Sequence, residues 1–326
     1  MQNPLLEARD LKLHFIQRYG VFKQHKNTIR AVDGVSFCIY PGETLGLVGE
    51  SGCGKSSLGK ALLNLHRPTG GELRFQGRAI TQLDNKHWRP LRAKLQMVFQ
   101  DPFESLNPRH TVGHILEEPL IVHRRGTPAE RQARIRELID LVGLNDEALS
   151  KYPHEFSGGQ RQRIGIARAI SLEPDVLICD EAVSALDVSV QAQILNLLIE
   201  IQQRMHLAML FISHDLSVVR HISDRIAVMY KGAIVELGDA TEVCERPAHP
   251  YTRALLDAVP QLGKPWHEST NIHGEASTTG SEAGCAFAPR CPRAADRCYR
   301  ERPVLDSPDT GSRIAACHFP LGDDDH

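Results

Sequence analysis

Short apolar runs alternate with longer amphipathic stretches over most of the first 240 residues. The runs that resemble strands hold four to seven residues each and cover residues 35–40, 44–48, 95–99, 176–179 and 207–213. The stretches of helical periodicity between them cover residues 55–65, 160–171 and 190–204. Short strands separated by helices are typical of a mostly parallel sheet in a three-layer fold. The pattern therefore predicts an α/β fold for this part of the chain.

Two places interrupt the alternation with a pair of turn residues between apolar runs. One is Gln76-Gly77 after residues 72–75, and the other is Lys231-Gly232 between residues 225–230 and 233–237. A two-residue loop of this kind is the connection that joins neighbouring antiparallel strands. We therefore predict an antiparallel hairpin at each place.

The pattern ends after Pro260, where Gly, Ser, Thr, Pro and Cys become frequent and no period remains. Residues 261–284 are predicted to form a linker, and four of the eight cysteines crowd into the short segment that follows. We predict two regions, a folded domain over residues 1–260 and a linker with a small cysteine-rich, metal-binding appendage over residues 261–326. No internal repeat is visible in the sequence.

Charge and composition narrow the class of protein. The 326 residues include 38 basic and 40 acidic side chains, a formal net charge of −2. This balance argues against a general nucleic-acid-binding protein, which needs a basic surplus to displace counterions. No apolar run approaches the roughly 20 residues of a membrane-spanning helix, and the first ten residues lack the features of a secretion signal. We therefore expect a cytosolic chain that spans no membrane and binds no nucleic acid.

A glycine-rich loop follows the predicted strand 44–48 and precedes the predicted helix 55–65. Its sequence, Gly49-Glu-Ser-Gly-Cys-Gly-Lys55-Ser56, fits GxxxxGK[ST] in the context that this pattern requires. Glycines let backbone N–H groups converge on phosphate, and the helix N-terminus adds partial positive charge. We expect Lys55 to contact the β- and γ-phosphates of ATP and Ser56 to bind Mg²⁺. The predicted nucleotide-binding residues here are Gly49, Ser51, Gly52, Cys53, Gly54, Lys55, Ser56 and Ser57.

Three further predicted strands end in residues that suit ATP hydrolysis. Residues 176–179 lead into Asp180 and Glu181, and a parallel strand delivers its C-terminal residues to the ligand crevice. We expect Asp180 to bind Mg²⁺, directly or through water, and Glu181 to act as the general base toward the attacking water. His214 is predicted to contact the γ-phosphate, and Gln100 to sense Mg²⁺ or the attacking water. The predicted catalytic residues are therefore Glu181, His214 and Gln100.

The run Phe156-Ser-Gly-Gly-Gln160 opens a predicted helix, and with it the chain resembles the ATPases of ABC transporters. The family's elements occur here in its order, namely the phosphate loop, Gln100, this signature run, Asp180-Glu181, Ser184-Ala-Leu-Asp187 and His214. The resemblance covers residues 5–240 and implies a P-loop ABC-type nucleotide-binding domain. Such a domain has a mostly parallel sheet core, an antiparallel β subdomain and a helical signature subdomain, here over about residues 100–170.

The signature run supplies a second helix N-terminus that attracts anions, in addition to the phosphate loop. The resemblance implies that it serves the nucleotide of another ATPase chain. Each ATP would then be held in a head-to-tail dimer, between the phosphate loop of one chain and the signature of the other. The residues that the resemblance assigns to this contact are Ser157, Gly158, Gly159, Gln160 and, at the dimer seam, Asp187.

ABC ATPases also stack an aromatic ring on adenine, from a residue before the phosphate loop. Phe15 fits that place in this sequence. Tyr19 is the alternative, because the stretch 16–31 is longer than the family usually has there.

Further runs make the chain similar to the dipeptide, oligopeptide and nickel importers. These runs are residues 99–108, 117–119, 213–217, 249–253 and 284–291. The resemblance is to the second ATPase of the pair in those importers, a peripheral subunit at the cytoplasmic face of the inner membrane. It implies a homologous ATPase as heterodimer partner, two integral membrane permease subunits and a periplasmic solute-binding protein. Peptides are the expected solute, and the alternatives are nickel, another small solute, or a soluble ABC ATPase outside transport.

Four cysteines near the end of the chain form a candidate metal site. Their spacing matches neither the close C-x(2–4)-C pairs of structural zinc nor the C-x2-C-x2-C run of bacterial ferredoxins. The spacing by itself therefore indicates only four soft ligands. The resemblance to the peptide importers implies a [4Fe–4S] cluster, with zinc or free thiols as the alternatives. The predicted ligands are Cys285, Cys291, Cys298 and Cys317.

Overall fold

The structure is a computed structural model that describes residues 3–19, 25–101, 105–258, 283–305 and 313–322. The chain forms two compact units. The first unit holds the described residues of Met1–Leu5, Ile39–Glu43 and Gln82–Ile212. The second unit holds those of Leu6–Cys38, Thr44–Thr81 and Ser213–His326.

Strands and helices alternate along much of the described chain. The strands are β1 (Leu6–Tyr19), β2 (His25–Ile39), β3 (Thr44–Val48), β4 (Gly70–Phe75), β5 (Arg78–Ala79), β6 (Leu95–Val98), β7 (Val176–Asp180), β8 (Ala208–Ser213), β9 (Arg225–Tyr230), β10 (Ala233–Asp239) and β11 (Ile314–Ala315). The α-helices are α1 (Lys55–Leu62), α2 (Asn85–Arg92), α3 (Val112–Val122), α4 (Pro128–Leu141), α5 (Gly158–Ile170), α6 (Val188–Met205), α7 (Leu216–Ile222), α8 (Ala240–Glu245), α9 (Pro250–Asp257) and α10 (Asp296–Arg300). Short 3₁₀ turns cover Asp146–Ser150, Pro153–Glu155 and Ala288–Arg290.

The first unit carries three parallel strands in the order β8-β7-β6. Every residue of β7 and β8 is buried, which explains why these strands are continuous apolar runs rather than alternating ones. Among the helices of this unit, α3 contacts both α4 and α5. These three helices fall within residues 100–170, where a helical subdomain is predicted. Their separation as a subdomain stays a prediction.

The second unit carries two groups of strands. One group has the order β11-β10-β9-β3, in which β3 and β9 are parallel and the other pairs are antiparallel. The other has the order β2-β1-β4-β5, and β4 pairs antiparallel with both β1 and β5. These pairings confirm the predicted α/β fold. The strand that precedes the phosphate loop, β3, has a parallel neighbour, and β4 belongs to an antiparallel group.

Both predicted hairpins are confirmed. The strand pairs β4–β5 and β9–β10 are each joined by two residues, and all four turn residues have positive φ angles. Positive φ at both central positions is the geometry of a type I′ turn, whose twist matches that of the strands it joins. The four residues are Gln76, Gly77, Lys231 and Gly232.

The described cysteine-rich residues belong to the second unit. β11 extends the edge of β10, where Ala315 pairs with Glu236. The backbone N–H of Leu321 also donates to the carbonyl oxygen of Ala248 at 2.9 Å. The predicted boundary at residue 260 stays a prediction, because residues 259–282 lie outside the described part of the chain.

No described helix has both the length and the apolar character that a membrane crossing needs.

Candidate functional site

The glycine-rich loop of residues 49–56 joins β3 to α1, in the second unit. A Cβ atom on Gly49 would lie 2.1 Å from the carbonyl oxygen of Met229, and one on Gly54 would lie 1.9 Å from that of Ala31. Real Cβ atoms do not come so close to backbone oxygen, so only glycine fits at these two positions. The loop can therefore lie directly against the neighbouring backbone.

Lys55 is the charged residue of this loop, and its side chain is buried. Only 4% of the residue is exposed, and Nζ donates hydrogen bonds to the carbonyl oxygens of Gly49 at 2.7 Å and Glu50 at 3.1 Å. A buried ammonium needs such acceptors, because burying an unpaired charge is costly. The loop thus holds one positive charge among its own carbonyl groups.

The first turn of α1 adds to the attraction for anions. Its N-cap is Gly54, which provides no side-chain cap, and the turn contains no acidic residue. The leading N–H groups of a helix lack intrahelical partners and carry partial positive charge. Ser56 and Ser57 lie in this turn and are half-buried. Ser51 and Gly52 are exposed in the loop, whereas Cys53 is buried and its thiol pKa is raised by that burial.

The two acidic residues lie in the first unit, where β7 ends. Asp180 is its last residue and is 3% exposed, and Glu181 follows it half-buried. Nε2 of Gln100 donates a hydrogen bond to Oε2 of Glu181 at 3.1 Å. The structure thus brings together two of the three predicted catalytic side chains.

The backbone of Glu181 is strained. Its φ is 46°, in the left-handed region that costs a residue with a side chain of the order of 1–3 kcal/mol. Its N–H donates to the carbonyl oxygen of Ile212 at 3.0 Å, and its own carbonyl accepts from Oγ of Ser184 at 3.0 Å. These bonds hold the conformation, and strain of this kind concentrates at functional sites.

The signature run begins α5 in the first unit. Ser157 is the N-cap, where its N–H donates to Oε1 of Gln160 at 3.0 Å and its Oγ accepts from the N–H of Gln160 at 3.4 Å. Ser157 is exposed, and Gly159 packs so closely that a Cβ would lie 2.4 Å from Cγ1 of Val190. The capping box therefore leaves an exposed helix N-terminus that can accept an anion.

Asp187 is linked to the signature through Val190, the residue against which Gly159 packs. It is the N-cap of α6, and its Oδ1 accepts hydrogen bonds from the N–H of Val190 at 3.0 Å and from Oγ of Ser189 at 2.8 Å. The backbone hydrogen bond from Val190 lowers the pKa of Asp187. The carboxylate therefore stays charged at neutral pH beside the start of α5.

The remaining predicted ATP-site residues are exposed or half-buried. His214 follows β8 directly and is exposed. Phe15 lies on β1, half-buried, with its ring edge-on to that of His66 at a centroid distance of 5.5 Å. The side chain of the alternative, Tyr19, lies outside the described residues. The roles of His214 and Phe15 toward a nucleotide stay predictions.

All four cysteines of the C-terminal segment line one cavity in the second unit. Burial raises the pKa of the Cys285 and Cys291 thiols, and raises that of Cys317 to about 11. Backbone N–H groups at these sulfur atoms act in the opposite direction, those of Phe287 and Ala288 at Cys285, of Arg293 at Cys291 and of Phe319 at Cys317. Such N–H donors also stabilise thiolates that bind metal clusters.

His249 also lines this cavity, and only 1% of it is exposed. Its Nδ1 accepts a hydrogen bond from the N–H of Tyr251 at 3.0 Å, so in the neutral ring the proton is on Nε2. Burial lowers its pKa to about 4, which keeps the ring neutral. Nε2 has no hydrogen-bond partner in the described part of the chain. A buried donor in the wall of a cysteine-lined cavity fits a ligand with sulfur acceptors.

The cavity is not arranged for one metal ion. No three or more histidine, cysteine, aspartate or glutamate side chains among the described residues form a group that could hold a metal ion. A structural zinc ion needs four ligand atoms at about 2.0–2.3 Å from one point. The four thiols are soft donors, but in this structure they do not form such a ligand set.

Sequence reasoning missed the residues that hold the phosphate loop from outside. Arg290 forms two hydrogen bonds with the carboxylate of Glu50, and the hydroxyl oxygen of Tyr251 accepts the N–H of Glu50. The partners of Glu50 are about 200 or more positions away, so no local pattern indicates them. The only available signal was that Glu50 lies inside the phosphate-loop motif.

Two family profiles match the chain. The one described as "ABC transporter" matches residues 32–184, and the one described as "Oligopeptide/dipeptide transporter, C-terminal region" matches residues 235–298. The second match includes Cys285, Cys291 and Cys298 of the cysteine-lined cavity.

Several characterised proteins are similar over nearly the full length. The oligopeptide transport ATP-binding protein AppF of Bacillus subtilis is 49% identical over 323 residues, 98% of either chain. The oligopeptide transport ATP-binding protein OppF of Escherichia coli is 49% identical over 93% of this chain and 92% of its own. The dipeptide transport ATP-binding protein DppF of Escherichia coli is 47% identical over 100% of this chain and 97% of its own.

Solved structures share the fold of a large part of the chain. A dimeric ATP-binding cassette in a post-hydrolysis state, bound to ADP and phosphate, superposes with a TM-score of 0.64 at 27% identity. It covers 72% of this chain and 98% of its own. The cbiO1 protein of Clostridium perfringens, part of an ABC transporter complex, reaches a TM-score of 0.65 at 26% identity. It covers 75% of this chain and 92% of its own.

Proposed function

Because this chain belongs to the family of ATP-binding subunits of oligopeptide and dipeptide ABC transporters, we propose that it is the ATPase that powers a peptide importer. ATP hydrolysis in this subunit drives the uptake of dipeptides or oligopeptides. The observation that carries the proposal is the buried Lys55 ammonium in a loop where Gly49 and Gly54 admit no side chain. Such a loop is suited to the phosphates of a nucleotide.

Ser56, Gln100 and Asp180 are the residues that we assign to Mg²⁺. They offer hydroxyl, amide and carboxylate oxygen atoms, the donors that this hard cation prefers. Nε2 of Gln100 is already engaged with Glu181, which leaves its amide oxygen as the acceptor. When bound, the ion neutralises charge on the phosphate oxygens.

Glu181 is the general base in this proposal. Its carboxylate accepts a proton from the water that attacks the γ-phosphate, and the bond from Gln100 orients it. His214 contacts the γ-phosphate from its position directly after β8. Phe15 stacks on adenine in this proposal, from its half-buried position on β1 upstream of the phosphate loop.

The signature completes the ATP site of a second chain. Ser157 and the first N–H groups of α5 lie exposed at a helix N-terminus, in a chain that already has a phosphate loop. We assign Ser157, Gly158, Gly159 and Gln160 to the nucleotide of a homologous ATPase in a head-to-tail heterodimer. Asp187, charged and beside α5, then lies at the seam. The similar cassette bound to ADP and phosphate is dimeric.

The remaining partners follow from peptide import. A cycle of ATPase dimerisation needs two membrane permease subunits on which to act, and uptake needs a solute-binding protein outside the membrane. We place this subunit at the cytoplasmic face of the membrane, as a peripheral component. Nickel or another small solute is the second candidate, because the residues described above contact nucleotide and not the solute.

We propose a [4Fe–4S] cluster for the cysteine-rich region within residues 261–326. Its ligands are Cys285, Cys291, Cys298 and Cys317, which line one cavity. Four thiolates, one for each iron, are the usual donor set of this cluster. The orphan Nε2–H of His249 supplies a donor toward its sulfur atoms. When bound, the cluster cross-links a segment that has few apolar residues.

The proposed function is tested by purifying the full-length subunit, through an affinity tag, together with its membrane complex. We expect two permease proteins and a second ATPase to co-purify. In lipid vesicles, ATP hydrolysis should rise when the binding protein is supplied with peptide, and the Lys55→Ala complex should remain inactive. Hydrolysis that responds to nickel and not to peptide would select the second candidate. Hydrolysis unchanged by Lys55→Ala would overturn the site itself.

A further inference from the structure

The cysteine-rich segment contacts the phosphate loop through one residue pair. The guanidinium of Arg290 donates to Oε1 of Glu50 at 2.9 Å and to Oε2 at 3.0 Å. Arg290 ends the 3₁₀ turn Ala288–Arg290, between the proposed cluster ligands Cys285 and Cys291. Glu50 is the second residue of the phosphate loop. A bidentate ion pair therefore joins two parts of the second unit that are 240 positions apart.

The backbone of Glu50 contributes to the arrangement of the loop. Its N–H donates to the hydroxyl oxygen of Tyr251 at 2.9 Å. Its carbonyl oxygen accepts from Nζ of Lys55 at 3.1 Å and from the N–H of Cys53 at 3.2 Å. A displacement of Glu50 would therefore move an acceptor that holds the lysine of the loop.

Arg290 is itself held firmly. Its side chain is 13% exposed, and its guanidinium lies 5.8 Å from the ring centroids of both Tyr230 and Phe287. The hydroxyl oxygen of Tyr230 accepts a third hydrogen bond from it at 3.4 Å. A guanidinium fixed in this way presents its fork to a carboxylate with little loss of conformational freedom.

We propose that Arg290 is a positioning residue for ATP binding, which acts through Glu50 to keep the phosphate loop in its nucleotide-binding shape. This inference rests on the proposed ATPase function and adds to it a role for the cysteine-rich segment. Without the ion pair, the loop gains conformational freedom that it must lose again when nucleotide binds. The entropy cost of ordering the loop lowers the affinity for ATP, although every group that touches the phosphates is still present.

The central test is Arg290→Met in the full-length subunit, with MgATP binding measured by titration calorimetry. Methionine keeps much of the length and removes the charge and the fork. We expect the dissociation constant to rise about three- to tenfold, the range for losing a charge-assisted, partly buried hydrogen-bonded pair. In the assembled transporter, KM for ATP should rise by a similar factor, and kcat should change by less than about twofold, since no catalytic group is altered.

Two further variants separate positioning from a general loss of structure. Arg290→Lys keeps the charge and should recover part of the affinity, because a lysine makes one contact where the fork makes two. Glu50→Gln should weaken MgATP binding as Arg290→Met does, and the double variant should be no weaker than either single one. Fully additive losses would overturn the proposal, because the two residues would then act separately.

Arg302→Met is the matched control. Arg302 lies on the same segment and pairs with Asp33 of the same unit at 2.9 Å, but Asp33 is not part of the phosphate loop. We expect this variant to bind MgATP as the unaltered chain does, whatever its melting temperature. An equal loss of affinity in Arg302→Met, or unchanged affinity in Arg290→Met, would overturn the inference. If Lys55→Ala also bound MgATP normally, the proposed ATP site itself would be wrong.

Discussion

At the scale of single residues, Lys55 and Glu181 depend on their surroundings in different ways. The ammonium of Lys55 is held by carbonyl groups of its own loop. The carboxylate of Glu181 is held by the amide of Gln100, on a backbone with a positive φ. We therefore expect substitutions at these two residues to affect different steps, nucleotide binding for Lys55 and the chemical step for Glu181.

Glu181→Gln should keep ATP affinity and lose nearly all turnover. Glutamine has the same shape and can still accept the hydrogen bond from Gln100, but it cannot accept a proton from water. The loss of a positioned base costs roughly 10²–10⁴ in rate. Binding of MgATP and phosphate release, measured on the same preparation, check this. Lys55→Ala is the companion variant, in which binding should be lost first, and a Glu181→Gln protein with ordinary turnover would contradict the assignment of the base.

Gly49→Ala should abolish nucleotide binding. The new Cβ would lie 2.1 Å from the carbonyl oxygen of Met229, so the loop must leave its place. Gly165→Ala is the matched control, because a Cβ there meets no atom within 4 Å and the position is inside helix α5. We expect the control to bind ATP normally and to gain up to about 1 kcal/mol in free energy of unfolding. Normal ATP binding by Gly49→Ala would contradict the claim that only glycine fits at this position.

At the scale of elements, the first turn of α5 differs from that of α4 in its suitability for an anion. Helices α4 and α5 both begin with a capping box, formed by Thr127 with Glu130 and by Ser157 with Gln160. The first turn of α4 carries an acidic residue, whereas that of α5 carries two glycines and no acid. An acid repels a bound anion and glycines admit it, so of these two helices only α5 is suited to phosphate.

Ser157→Arg should damage the ATP site of the partner chain more than the site of its own chain. The long side chain blocks the helix N-terminus, while the phosphate loop of the same chain is left unaltered. Photoreactive ATP analogues can label each site of the dimer separately. Thr127→Arg, the equivalent change at the capping box of α4, should leave both sites labelled. Loss of labelling at the altered chain's own phosphate loop, with the partner's loop labelled normally, would contradict the head-to-tail arrangement.

At the scale of the whole molecule, the cysteine-lined cavity and the phosphate loop belong to one compact unit. The rings of Tyr230, Tyr251 and Phe287 pack at centroid distances of 4.6–5.4 Å. Phe287 lines the cavity, and the hydroxyl of Tyr251 bonds the phosphate loop. We therefore expect a change in the cysteine-rich segment to reach the phosphate loop through these rings.

Protein purified without oxygen should be brown, with about four iron and four sulfide per chain. Thiolate-to-iron charge transfer produces the colour, and zinc with its filled d shell produces none. Cys291→Ser should bleach the protein, because serine is a poorer ligand for iron. Cys38→Ala, on the buried strand β2 and outside the cavity, should keep the colour. Colourless protein with stoichiometric zinc would contradict the cluster, and the melting temperature would report how far the fold depends on it.

Most of the fold could be predicted from local pattern. Apolar runs became β3, β7 and β8, turn pairs became the two hairpins, and Lys55 began a helix. These features depend on residues within a few positions of each other, where backbone preference and side-chain periodicity decide the structure. The sequence alone therefore determined these elements, the phosphate loop and the family to which the chain belongs.

Only the tertiary structure decided which distant residues meet. The contact of Gln100 with Glu181, the four cysteines around one cavity and the pair of Arg290 with Glu50 join positions far apart in the chain. The orphan donor of His249 also becomes visible only once its surroundings are known. Such contacts depend on how strands and segments are ordered in space, and no pattern within a single element encodes that order.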